Sequence, residues 1–172
     1  WIYNTCGCIV NAQNNLLDSV QIALQSGNQP EAVEGIDKIV DFCVAHENGK
    51  VFDQWDRGII QLVVAYHMAK DTIVVTYDEE DNVTGAFMWY NCDYNDDWNF
   101  VLQWEPDRED GDSVFLAFLF ADNTTAFKRL TELFLQSEEL NNKKLLGIRH
   151  RNGVPTRVEY EPKLFRKILE LN

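Results

Sequence analysis

The segment Ser113 to Ala121, SVFLAFLFA, is apolar at odd and even positions alike. Successive side chains of a strand point to opposite faces, so a run with no polar parity must be covered on both. Such a strand needs helices above and below its sheet, and the flanking sequence supplies them. Before it, Leu16, Leu17, Val20, Ala23 and Leu24 recur at helical spacing over Asn14 to Gln25, and Ser26-Gly27-Asn28 ends the run. Pro30 in a first turn and the stripe Val33, Ile36, Val40, Cys43 and Val44 predict a second helix. A third is expected from about Asp53 to Ala69, with Trp55, Ile59, Leu62, Val63 and Tyr66 facing inward. At Asp71 the period shortens. Thr72 to Tyr77 and Val83 to Tyr90, joined by the polar turn DEEDN, predict a hairpin, and alternation over Trp98 to Trp104 predicts a further strand.

Beyond the apolar strand, Asp122-Asn123-Thr124 cap a helix carrying Phe127, Leu130, Leu133 and Phe134. Asn152-Gly153 is the preferred dipeptide of a two-residue turn between strands Lys143 to Arg151 and Val154 to Tyr160, and Pro162 opens a last helix. The expectation is an α+β fold: one domain over residues 1–172, a mostly antiparallel central sheet flanked by helices, with residues 1–12 a disordered or non-native start.

The chain carries 15 basic and 28 acidic side chains, a net charge of −13, which argues against general affinity for nucleic acid or anionic membrane. That charge is divided along the sequence. Residues 1–125 hold 5 basic and 22 acidic residues, a balance of −17, whereas residues 126–172 hold 10 basic and 6 acidic, a balance of +4. The longest apolar run, Ile59 to Ala65 around Gln61, is far too short to span a bilayer. Cys43 falls on the apolar face of a helix, the usual place of a reduced thiol, so a reducing, cytoplasmic compartment is expected. Cys6 and Cys8 lack two further ligands, and His46, His67 and His150 show no paired spacing, so no metal site is expected.

Helices leading into AKDTIVVTYDEEDNVTGAFMWY, with a buried strand running into a helix beyond, resemble the central part of the GNAT N-acyltransferase fold over roughly Ala69 to Tyr160. The resemblance implies acetyl-coenzyme A or another acyl-coenzyme A as cofactor and transfer of its acyl group to an amine substrate. It places the pyrophosphate at the start of the helix after the buried strand, on Asn123, Thr124, Thr125 and Ala126, with Lys128 and Arg129 adding positive charge one turn later. Free backbone donors and the helix dipole make such a start an anion site on general grounds. By the same resemblance, Tyr160 would protonate the leaving thiolate. Asp122 to Ala126 contain no glycine, and the family's loop is rich in it so that backbone can approach phosphate. This departure sets up the alternative: a catalytically inactive GNAT-like binding or structural module, of phage, other viral or mobile-element origin, that holds a protein partner.

Other residues divide between a functional and a plainer role. His67 could be a general base, or a core histidine with one hydrogen bond. Arg149, Arg151 and Arg157 on the last hairpin could clamp a phosphate or carboxylate, or form surface pairs with this chain's own carboxylates. Trp89, Tyr90, Trp98, Phe100 and Trp104 read as core, with an exposed subset serving as a stacking wall or partner surface. The stretch Asp93 to Asp112 is strongly acidic but lacks a calcium-loop pattern; it reads as solvated loops, or as the attraction for a cationic amine or a basic partner.

Overall fold

The computed structural model describes residues 29–94, 110–137, 143–151 and 154–170. The expected helix Asn14 to Gln25, the strand Trp98 to Trp104, Cys6, Cys8 and the Asn152-Gly153 turn lie outside the described residues. In chain order the elements are α1 (Gln29–Ala45), a 3-10 turn (Gly49–Phe52), α2 (Arg57–Ala69), β1 (Ile73–Tyr77), β2 (Val83–Cys92), β3 (Ser113–Ala121), α3 (Thr124–Ser137), β4 (Lys144–Arg151), β5 (Val154–Tyr160) and α4 (Pro162–Glu170). The strands form one sheet in the order β1-β2-β3-β4-β5. Neighbours are antiparallel except β3 and β4, which α3 joins as a parallel pair, so the α+β sheet is mixed.

The apolar strand β3 is covered on both sides, as its composition requires. Phe115, Phe118 and Phe120 join Ala86, Met88 and Tyr90 of β2 under Ile39, Val40 and Cys43 of α1 and Ile60, Val63 and Val64 of α2. On the opposite face Val114, with Phe87, Trp89 and Leu145, meets Leu130 and Phe134 of α3 and Phe165 of α4. Strict alternation would not put Phe115 and Phe118 on one face. A bulge does so: Trp89 pairs with Leu116 but Met88 with Phe118, leaving Ala117 as the extra residue that reverses the parity.

Differences from the expected elements have local causes. The third expected helix begins later, at Arg57, because the Asp56 side chain accepts from the Gly58 amide at 2.8 Å and caps it there. Its phase also differs. Ile60, Val63, Val64, Tyr66 and His67 are buried while Ile59 and Leu62 are half-buried, since a stretch apolar on nearly all sides does not define its own inner face. Arg57 then ties α2 to α1 through Asp41 at 2.7 Å and Asp37 at 3.3 Å. Among the described residues no helix is long and apolar enough to cross a membrane.

Candidate functional site

The parallel ladder between β3 and β4 is short. It comprises Ser113 with Lys144, Val114 with Leu145, and Phe115 with Leu146, after which residues 116–121 and 147–151 continue without pairing to one another. The bulge at Ala117 lies next to the last pair, and a bulge bends its strand. The two strands therefore bound a wedge with its vertex at Phe115 and Leu146, opening toward their C-terminal ends. Divergence at the C-terminal ends of parallel strands is a general place for a ligand in sheets with helical connections. Leu119 supports the opening directly. It lies on an interior strand of the sheet, yet is 37% exposed.

At the open end β3 runs into α3, and the junction is fixed from three directions. The Asp122 amide donates to the Thr84 carbonyl at 3.0 Å. His46 Nδ1 accepts from the Asn48 amide at 3.1 Å, so the ring hydrogen resides on Nε2, which donates to the Ala121 carbonyl at 3.2 Å. Asn123 accepts twice, its side chain from the Ala126 amide at 2.9 Å and its carbonyl from the Phe127 amide at 3.0 Å. Of the residues expected to hold an anion, Asn123, Thr124 and Thr125 are exposed and Ala126 is buried. The amides of Thr124 and Thr125 have no hydrogen-bond partner among the described residues, whereas that of Ala126 is taken by the Asn123 cap. Lys128 is half-buried and already engaged, and Arg129 turns to Glu132 on the helix surface.

Tyr160 pairs with Leu145 across β4 and β5. Its ring lies over Gly147, the first residue of β4 beyond the vertex, where an added Cβ would come within 3.0 Å of Tyr160 Cε2. An isolated glycine in a strand pattern marks such a close approach, and this was the readable signal for the seat. The ring also meets Phe165 edge-on, so Tyr160 is half-buried on the α3 and α4 side of the vertex.

His67 is not part of the wedge. It is fully buried between Tyr66 and Tyr90, with Nδ1 2.8 Å from Thr72 Oγ1 and Nε2 making no hydrogen bond among the described residues. Burial pushes its pKa down to about 3, against an opposing pull from the Thr72 and Trp89 backbone. It is a neutral core histidine, out of reach of a substrate. The arginines of the last hairpin separate too. Arg157 opposes Ile148, whose side chain packs with the α1 and α2 layer, whereas Arg149 alternates with Leu145 of the other layer. The side chain of Arg151 lies outside the described part, as do Trp98, Phe100 and Trp104 of the expected aromatic wall. Its other members, Trp89 and Tyr90, are buried core residues.

Of the acidic stretch, the described Asp112 accepts from Ser113 Oγ at 2.7 Å and from the Tyr94 amide at 2.8 Å, and these bonds hold its carboxyl below the usual range. Lys144 lies 3.5 Å from the Tyr94 ring centroid, bracing the base of the same loop. No group of three or more metal-ligating side chains occurs among the described residues. No family model matches the chain, and no curated protein is significantly similar to it.

Proposed function

We propose that the chain is a GNAT-like protein whose wedge binds an acyl-coenzyme A and passes the acyl group to an amine. The carrying observation is the parallel pair β3 and β4, which separates after Phe115 and Leu146 and has the start of α3 at its open end. An extended thioester between the strands could exchange hydrogen bonds with backbone groups that no ladder among the described residues uses. Leu119 offers it apolar contact, and the amides of Thr124 and Thr125 offer donors to a phosphate. In this reading the amine nitrogen attacks the thioester carbonyl and the carbon–sulfur bond breaks. The acceptor loses its ammonium proton to solvent before it attacks and a second proton after. The departing thiolate takes the hydroxyl proton of Tyr160, whose ring packs at the vertex and whose phenolate is then reprotonated from solvent. The cationic acceptor is drawn by the negative field of the chain.

The inactive module remains the second reading, favoured by one observation: the Asn123 cap occupies the Ala126 amide and reduces the donors available to a pyrophosphate. Cytoplasmic residence belongs to both readings and draws support from Cys43 as a free, buried thiol. Isothermal titration with acetyl-coenzyme A separates the two. Saturable heat with micromolar affinity is expected; no heat at high micromolar concentrations would leave the module.

A further inference from the structure

Arg149 is exposed on β4, three positions past Leu146 and about 10 Å along the strand from the vertex. It stands where β4 no longer has β3 beside it. Alternation from Leu145 through Gly147 brings it to the face that carries α3, α4 and Tyr160. The residue across from it on β5 is Thr156, also exposed, while the carboxylate of Glu159 belongs to the position opposite Leu146 and hence to the other face. In a chain with 28 acidic against 15 basic side chains, surface cations readily find carboxylates: Arg57 holds Asp41 and Asp37, and Arg129 holds Glu132. Among the described residues the Arg149 side chain makes no ion pair or hydrogen bond, so the surface pairing that would give it a plain role is not found there.

We propose that Arg149 is a ligand-binding residue, the guanidinium that grips a phosphate of the acyl-coenzyme A across the wedge from α3. The inference rests on the acyl-coenzyme A reading and extends it to specificity: the site selects a phosphorylated thioester over the same acyl group on pantetheine. A guanidinium suits this task because its planar donors meet two phosphate oxygens at once, which an ammonium cannot do.

The test titrates acetyl-coenzyme A and S-acetylpantetheine, which lacks phosphate, into the wild type and into Arg149→Ala, Arg149→Lys and Arg166→Ala. Arg166 is an exposed α4 arginine with no ion pair among the described residues and controls for the lost charge alone. Arg149→Ala should weaken acetyl-coenzyme A about tenfold or more and leave S-acetylpantetheine unchanged, with Arg149→Lys between. Arg166→Ala should change neither. Wild-type affinity for acetyl-coenzyme A retained in Arg149→Ala, or an equal loss in Arg166→Ala, overturns the role of Arg149 while the function stands. A wild type that binds neither thioester overturns the function itself, and this inference with it.

Discussion

His67 shows how one position can look catalytic in sequence and be structural in the fold. A histidine beside a tyrosine on a helix has the right chemistry for a base, but here the ring is sealed under β2 with Nδ1 bonded to the Thr72 hydroxyl. Its cost is visible in acid. The folded protein resists protonating it down to about pH 3, whereas the unfolded chain takes up that proton near 6.5. Above pH 6.5 neither state is charged and the group has no effect; as pH falls below it, only the unfolded state gains the proton, and stability declines toward pH 3. Denaturant titrations should therefore show the wild type losing about 2 kcal/mol more than His67→Gln between pH 7 and pH 5. Parallel losses in the two proteins would mean the ring protonates inside the fold.

Among the elements, β3 was the most legible, because an apolar run on both parities has one structural meaning, and its range Ser113–Ala121 is the expected one. The range of β5 and the start of the last helix at Pro162 were equally readable from punctuation by proline and turn residues. The direction of β3 relative to β4 and the bulge at Ala117 were not. Both arise from pairing between distant segments, and a bulge carries no composition of its own. The candidate site was half legible for the same reason: the resemblance named Asn123 to Ala126 and a cap was expected from Asp122-Asn123-Thr124, but not that Asn123 would be the residue to cap, nor that the Ala126 amide would be the one taken. At the vertex, the pairing of β4 with β5 sets Tyr160 over Gly147, and this register carries a prediction. Tyr160→Phe keeps the ring and its seat but removes the hydroxyl. With acetyl-coenzyme A as donor and hydroxylamine as acceptor, kcat should fall about a hundredfold with KM for the donor unchanged. An unaltered kcat would take the proton transfer away from this residue.

For the whole molecule, the charge of −13 is a sum of unlike parts. The basic surplus begins at residue 126 and includes the strands and helix that surround the wedge's second wall, so an anion can be held locally by a chain that repels anions at a distance. The acidic surplus would then concentrate the cationic acceptor rather than the donor. This division, and the wedge itself, are what the account most depends on. Backbone amide resonances followed during titration with acetyl-coenzyme A test it most directly. The account predicts saturable shifts at Leu116 to Ala121, Gly147 to Arg149, Thr124 and Thr125, with β1 and the helices α1 and α2 little changed. Shifts confined to other surfaces, or none at saturating ligand, would contradict it.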